Sequence, residues 1–363
     1  VPVYNSSHLG GLFSVFNADA IKSVRLTKGG FPARFGGRLS SVLEIDMKEG
    51  NNKKFKGDAT LGLISSKLTL EGPLIKNKSS FIVSGRRTYA DLLMKPFMQN
   101  GENEIDNFNL YFYDLNAKIN HKISKKDRIY ISAYIGDDIF NVKATESNNE
   151  VGKEAKSNGS ESDNMRFQLG YGNITSTIRW NHLFNNKLFS NTTFTYSRYN
   201  FKTGFSLLSS RPNDTVYNET TQTLNIGESS EEFSYDYISG IQDLGIRVDF
   251  DYIPNPNHNI KLGGSYTNHE FFPGESTLLM DIISPDTTEN FLLDTTFNFS
   301  QRTRVNETYF YIEDNIKISK ILRVNVGLHI GYYSLDNQTN IKNLNGIYTY
   351  LSNRDFLSIQ LRV

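Results

Sequence analysis

The sequence AIKSVRLTKGG (residues 20–30) runs into FPARFGGR (residues 31–38) and then into VLEIDMK (residues 42–48). Alternating apolar residues on either side of glycine pairs are typical of a strand, a tight turn and a second strand. The chain from about Phe55 onward has a different pattern, in which long strands are joined by alternately short turns and long polar loops. The sequence therefore predicts a small N-terminal element followed by a long antiparallel β-meander.

Composition favours a β protein in contact with a membrane and excludes several kinds of site. The chain has 20 Tyr and 25 Phe but only 9 Pro, and aromatic residues are enriched in strands and at membrane interfaces. It has no Cys, which excludes a disulfide framework and thiolate metal ligands. A net charge of zero gives no electrostatic footprint for nucleic acid. Mean hydropathy is negative, as expected for strands that carry apolar residues on one face alone.

Period-two patterns locate the strands. Residues 111–123 and 322–332 each have one largely apolar and one polar face. The apolar positions are Tyr111, Tyr113, Leu115, Ala117, Ile119 and Ile123 in the first strand, and Leu322, Val324, Val326, Leu328, Ile330 and Tyr332 in the second. Between Phe167 and Trp180 the phase of the alternation slips, which predicts a β-bulge near residues 170–172.

The connections between strands alternate in length. Short ones are predicted at residues 72–78, 124–127, 185–186, 253–258 and 319–320, and long ones at 92–109, 142–164, 209–232, 275–302 and 336–353. Outer-membrane barrels have short periplasmic turns and longer extracellular loops, so this alternation predicts a transmembrane antiparallel β-barrel. With a first hairpin at residues 64–66, about twelve strands are expected. The chain opens without a signal sequence and stops inside a predicted strand, which predicts a fragment of a larger protein.

The N-terminal residues resemble a known family. Ile21, Val24, Leu26 and Lys28-Gly29, then Phe35-Gly36, then Val42 and Ile45 are similar to the strand, turn and strand of the plug domain in TonB-dependent outer-membrane receptors. Residues 2–14 and 71–89 resemble the Bacteroidetes form of these receptors, so the likeness covers about the first hundred residues. Residues 37–41 do not match the plug signature of the glycan-importing subgroup that works with a lipoprotein lid.

The resemblance implies an architecture for the whole chain. Residues 1–50 would be the C-terminal part of a small α/β plug domain, and residues 51–363 the N-terminal half of the barrel with long extracellular loops. The complete barrel would have about 22 strands, a size that leaves an open lumen unless a plug fills it.

The candidate site residues lie in the turn of the plug segment and on one predicted strand. The turn candidates are Lys28, Gly29, Gly30, Arg34, Gly36, Gly37 and Arg38. The glycines suit positive φ and close backbone approach, so they either fold the plug or bring it against ligand or barrel wall. The resemblance favours pairing of Arg34 and Arg38 with carboxylates of the wall. Of Arg86 and Arg87, which are consecutive on a strand, one is expected to face the lumen and the other the outside.

The sequence gives no support for an enzyme. Its 6 His are scattered over different elements, and it contains no zinc-protease, nucleophile-elbow or phosphate-loop motif. His121 and His182 lie beside short turns and are expected at the membrane interface. Asp137-Asp138 lacks the ligand spacing of a calcium loop, so a solvated rim is the favoured interpretation. No metal and no cofactor is predicted.

These observations predict a receptor in the bacterial outer membrane that imports a scarce solute by energy coupling. Siderophore, cobalamin, peptide and oligosaccharide all stay open as the small ligand. The resemblance implies the TonB–ExbB–ExbD complex as a partner, acting through a segment outside this chain. Outer-membrane lipid and lipopolysaccharide would surround the barrel, a surface lipoprotein stays open as a partner, and nucleic acid is not expected.

Two alternatives stay open. The first is a plugged barrel that acts as a non-transporting structural component of an outer-membrane complex. The second is a passive porin or adhesin, in which the first fifty or so residues are not a plug.

Overall fold

A computed structural model describes most of the chain. The described residues are 3–30, 32–36, 41–98, 105–148, 161–218, 222–285, 290–298, 302–336, 340–342, 348–350 and 354–362. Residues 3–50, the N-terminal segment, contain β1 (Ser7–His8), β2 (Phe13–Ser14), β3 (Ile21–Lys28) and β4 (Ser41–Met47). Short 3-10 turns at Leu9–Gly11, Ala18–Ala20 and Ala33–Phe35 connect them, and no α-helix occurs in the described part of this segment.

The rest of the chain forms long strands and one helix. The early elements are β5 (Lys56–Leu61), β6 (Ser65–Ile75), β7 (Ser79–Thr88), α1 (Ala90–Met98), β8 (Ile105–Lys122), β9 (Asp127–Asn148) and β10 (Glu161–Asn185). The later ones are β11 (Leu188–Asn218), β12 (Thr223–Asn255), β13 (His258–Ile283), β14 (Phe291–Asn298), β15 (Thr303–Lys317), β16 (Arg323–Asp336), β17 (Asn340–Lys342), β18 (Tyr348–Tyr350) and β19 (Arg354–Arg362).

Neighbouring strands pair antiparallel into one large sheet. The path from edge to edge is β5-β6-β7-β8-β9-β10-β11-β12-β13-β15-β16-β19, and β14 adds to the upper part of β13. Within the described residues this path has the expected number of about twelve strands, with a first hairpin between β5 and β6. β1 with β2, β3 with β4, and β17 with β18 form small separate sheets. The predicted all-β fold of antiparallel strands is confirmed.

Several of the predicted long loops are wrong. β11 continues to Asn218 and β12 begins at Thr223, so most of the predicted loop 209–232 is paired strand. β9 and β10 likewise remain paired out to Asn148 and Glu161, and the predicted loop 92–109 contains most of α1 and the start of β8. Polar residues on the outer face suggested loops here, because that face meets water once a strand leaves the membrane.

The outer face of the sheet carries a band of exposed apolar side chains. One row crosses five paired strands through Ile131, Ile178, Phe194, Ile246 and Tyr266, which are 37–52% exposed. On β10 the outward residues of this band occupy positions 174–182, close to the ~9–11 residues of a membrane-spanning strand. The side of the band away from the short turn after β10 is here called above it. There, at positions 162–172, the outward residues of β10 are polar or glycine. This is the surface expected of the wall of a transmembrane β-barrel. None of the described helices is long and apolar enough to cross a membrane.

The predicted bulge near residues 170–172 is wrong. β10 pairs without interruption with both neighbours from Ser162 to His182. The alternation slips because the apolar side chains change faces above the band. Phe167 points to the inner face, where its ring lies 5.7 Å from that of Phe140, which in turn lies 6.1 Å from Phe108.

The outer band predicts that a charged side chain introduced on the outer face destabilises the protein most where it lies within the band. Ile178→Lys places an ammonium group among lipid-facing side chains, and we expect it to lower the free energy of unfolding of the intact protein by about 2–4 kcal/mol. Ser162→Lys, on the same strand and face but above the band, should change it by less than about 0.5 kcal/mol. Denaturant unfolding in lipid vesicles measures both. Equal losses for the two variants would contradict the placement of the band.

Candidate functional site: the N-terminal segment on the inner face

The N-terminal segment lies against the inner face of the large sheet. Its residues contact strands from β6 to β16, which means that the sheet curves around it. The inner face of this region is polar, with buried Ser84, Asp114, Asn120, Asp138 and Glu313 among its side chains. Buried polar groups need hydrogen-bonding partners, and the N-terminal segment supplies many of them.

His8 anchors the beginning of the segment. Its side chain is 1% exposed, and its Nδ1 lies 2.6 Å from Asp138 Oδ2. The Leu9 N–H donates to the other oxygen of Asp138 at 2.7 Å. The imidazole stacks on Phe112 with ring centroids 4.1 Å apart and an angle of 4° between the planes. A single wall carboxylate therefore holds both a side chain and a backbone group of the segment.

Arg86 extends this cluster toward β2. Its Nε donates to Asp114 Oδ2 at 2.7 Å, and its Nη2 donates to the Ser14 carbonyl at 2.7 Å. The guanidinium carbon also lies 4.8 Å from the centroid of the Phe112 ring. Asp114 is 3.6 Å from His8 Nε2. Two wall carboxylates, one guanidinium and one imidazole thus form one buried network, in which each carboxylate has a basic side chain beside it.

Further hydrogen bonds continue the contact on either side. Asn17 Nδ2 donates to Ser84 Oγ at 2.9 Å, and Ser84 also bonds Thr69 at 2.7 Å. The Tyr4 hydroxyl donates to Asp243 Oδ2 at 2.5 Å. These contacts place the first part of the segment against β6, β7 and β12.

Arg34 anchors the middle of the segment. Its Nη1 lies 3.2 Å from Glu313 Oε1, and its backbone N–H donates to Oε2 at 3.1 Å. The Glu313 side chain is only 3% exposed. The Ala33 carbonyl lies 3.0 Å from Nδ1 of His329. A Cβ at Gly36 would overlap the His329 ring, so the backbone passes against the wall at this point.

Glu49 anchors the end of the segment. Its carbonyl accepts from Ser80 Oγ at 2.8 Å and from Asn120 Nδ2 at 2.7 Å, and its carboxylate lies 3.4 Å from Arg128. Lys118 donates to the Met47 carbonyl at 3.1 Å. The last residues before β5 are therefore tied to the same wall that receives His8.

The structure separates the candidate residues predicted from sequence. Lys28, Gly29 and Gly30 form an exposed turn, where the two glycines have φ of 63° and 40°. Arg34 and Gly36 lie against the wall, and Gly37 and Arg38 lie outside the described residues. Arg86 faces the inner side. Arg87 faces outward, with its guanidinium 4.6 Å from the Tyr111 ring centroid and 3.9 Å from Asp91.

Sequence reasoning missed His8, Asp114, Asp138 and Glu313. The interpretation of Asp137-Asp138 as a solvated rim is wrong for Asp138, which is 5% exposed and holds His8. One signal was available. Asp114 belongs to the polar face of a clearly alternating strand, and a charge on the inner face of a barrel strand needs a partner. The partner itself is more than a hundred residues distant in the case of His8 and Asp138.

The contact is mostly polar. The buried apolar side chains that the described part of the segment contributes are small, namely Val15, Ala20 and Ala33. Hydrogen bonds between neutral groups each stabilise by about 0.5–1.5 kcal/mol net, and those to charged groups by about 1.5–3 kcal/mol, because water competes for the same groups. The segment therefore contributes no large buried apolar side chain of its own, although it covers the ring of Phe112 on the wall. The described residues contain no group of three or more His, Asp or Glu that could hold a metal ion.

No protein-family model matches the sequence, and no curated protein matches it. The fold is similar to the crystal structure of the siderophore receptor PiuA from Acinetobacter baumannii, with a TM-score of 0.50 and 15% identity over 94% of this chain and 51% of that chain. This chain thus spans about half the length of that receptor structure.

Two further solved structures show weaker likeness. One is the siderophore receptor PirA from Acinetobacter baumannii, with a TM-score of 0.28 and 9% identity over 96% of this chain and 79% of that chain. The other is the ferric-catecholate import receptor Fiu from E. coli K12, with a TM-score of 0.27 and 8% identity over 94% of this chain and 79% of that chain. The likeness to PiuA shows that this chain has the fold of an outer-membrane β-barrel.

Proposed function

We propose that this chain is part of an outer-membrane receptor that imports a scarce solute, with its N-terminal segment acting as the plug. The observation that carries the proposal is the polar contact between this segment and the inner face of the wall. A barrel of about 22 strands has an open lumen, and a segment lodged inside closes it. The likeness of the fold to PiuA, a siderophore receptor, supports a receptor role.

The polar contacts suit a plug that moves. In the proposed cycle the TonB–ExbB–ExbD complex pulls on chain that precedes the segment. The load reaches the contacts of Tyr4 and His8 before those of Arg34 and Glu49. Water entering the lumen hydrates each group whose hydrogen bond is broken, which offsets part of the energetic cost of displacement.

A reversible cross-link tests the proposal. The chain has no Cys, so Asn17→Cys with Ser84→Cys introduces a single pair at a contact where the native side chains meet at 2.9 Å. We expect the oxidised pair to abolish uptake because the segment cannot leave the wall, and we expect a reductant to restore it. The readout is growth in media that each limit one nutrient class: iron, cobalamin, peptide or oligosaccharide.

The matched control joins two wall strands and leaves the segment free. Ser132→Cys with Thr177→Cys replaces side chains that meet at 3.0 Å on neighbouring strands, and this pair should leave growth unchanged. If the locked segment supports normal growth in every medium in which a deletion strain fails, the segment does not gate transport. If deletion itself has no effect in any medium, a structural role replaces the importer.

A further inference from the structure

Above the membrane band, the inner face of the sheet becomes apolar. One row of directly paired residues crosses six strands through Ala144, Met165, Leu207, Phe233, Met280 and Leu293. The row beneath it contains Val142, Phe167, Phe205, Tyr235, Leu278 and Thr295. Met165, Leu207, Phe167 and Tyr235 are each 37–46% exposed. These two rows form the apolar wall.

Strand register places the apolar wall on the same side as the N-terminal segment. Residues an even number of positions apart on a regularly paired strand lie on the same face. On β10, Tyr171 accepts a hydrogen bond from the Gly10 N–H, and Met165 is six residues away with no bulge between them. On β12, Asp243 accepts a hydrogen bond from the Tyr4 hydroxyl, and Phe233 is ten residues away with regular pairing to β11 between them. The apolar wall therefore lies on the inner face of the sheet, farther along the strands than the contacts of the segment.

Immediately above the apolar wall lies a row of paired residues that carries three carboxylates, which we call the acidic row. Its paired residues are Glu146, Asp163, Ser209, Glu231, Ile282 and Phe291. Glu146, Asp163 and Glu231 span three strand spacings, or about 14 Å, and lie about 7 Å above the uppermost apolar row. These carboxylates form no ion pair within the described residues.

The two surfaces meet in one groove of about 510 Å³, whose lining includes Met165, Phe233, Met280, Glu146 and Asp163. The apolar wall can bind apolar side chains, and the carboxylates above it select cationic groups. Three carboxylates spread over about 14 Å exceed the reach of a single small cation. An anionic metal chelate would be repelled, and an uncharged glycan would leave the carboxylates unpaired.

We propose that this groove binds a cationic amphipathic peptide, with its apolar side chains on the apolar wall and its Lys or Arg side chains on the acidic row. The proposal rests on the importer function, of which it narrows the ligand class. An extended peptide places alternate side chains on opposite sides, so one edge can face the carboxylates while a second set packs below.

Fluorescent synthetic peptides test the proposal on the intact protein in nanodiscs. The probes are an alternating Leu-Lys dodecapeptide, its Leu-Glu counterpart and its Ser-Lys counterpart. We expect Leu-Lys to bind at least about tenfold more tightly than either of the others, because only this peptide has both apolar side chains for the apolar wall and cationic side chains for the carboxylates. Binding of Leu-Glu as tight as that of Leu-Lys would overturn the charge assignment, and equal binding of Ser-Lys would overturn the role of the apolar wall.

Substitutions locate the binding. Glu146→Gln, Asp163→Asn and Glu231→Gln combined should weaken Leu-Lys binding about tenfold, since each exposed ion pair contributes roughly 0.2–1 kcal/mol. Asp281→Asn is the control, because Asp281 neighbours Ile282 of this row but points to the outer face and does not line the groove. Unchanged affinity in the triple variant overturns the site. Binding without energy-dependent uptake of the same peptide would leave this proposal standing and count against the importer function instead.

Discussion

Replacing Asp138 with Ala is expected to destabilise the docked N-terminal segment by about 2–5 kcal/mol. The substitution removes the acceptor of both His8 Nδ1 and the Leu9 N–H, which lie 2.6 and 2.7 Å from the two carboxylate oxygens. His8 is 1% exposed, so water cannot replace the lost partner without opening the contact. Hydrogen exchange of residues 4–16 in the intact protein measures the loss, because their protection depends on docking.

Asp137→Ala is the matched control. Asp137 is the preceding residue on the same strand, but it faces outward and accepts from the Tyr113 hydroxyl at 2.5 Å. We expect this variant to leave exchange of residues 4–16 unchanged, while Asp138→Ala accelerates it by a factor of about thirty or more. Equal protection in the two variants would show that the Asp138 contact does not hold the segment.

The strand pattern predicted the fold because its information is local. Alternation over residues 111–123 identifies a strand and its two faces without any knowledge of neighbours, and the same argument separates Arg86 from Arg87. The prediction of a bulge near residues 170–172 was wrong for the opposite reason. Local phase cannot distinguish an inserted residue from a change in which face is apolar, and only pairing with β9 and β11 resolves the two.

The contacts of the N-terminal segment were mostly beyond sequence reasoning. A carboxylate predicted on the inner face indicates that a partner exists, but it does not identify which basic group of the segment is that partner. That choice depends on the curvature of the sheet and on the register of strands hundreds of residues apart, as for Arg34 and Glu313. The pairing of Arg34 with a wall carboxylate was expected through the family resemblance, whereas His8 carried no signal of its own.

Arg34→Ala is expected to destabilise docking by about 3–5 kcal/mol, because it leaves the carboxylate of Glu313 buried without a counter-charge. Glu313 is 3% exposed, and the guanidinium of Arg34 lies 3.2 Å away. Arg25→Ala is the matched control on the same segment, since the Arg25 side chain is 76% exposed and lies 3.9 Å from Glu44. Exposed pairs of this kind contribute about 0–1 kcal/mol. Hydrogen exchange of residues 33–36 reports both variants.

A double-mutant cycle separates the charge from the packing. Glu313→Gln removes the charge but keeps an oxygen that can accept from the backbone N–H of residue 34, which now donates at 3.1 Å. Introduced into Arg34→Ala, it should therefore recover about 1–3 kcal/mol of the lost stability, since the uncompensated buried carboxylate is gone. If the double variant is as unstable as the sum of the single variants, the ion pair is not the source of the anchoring. The wall would then hold the middle of the segment through the fit of Gly36 against His329.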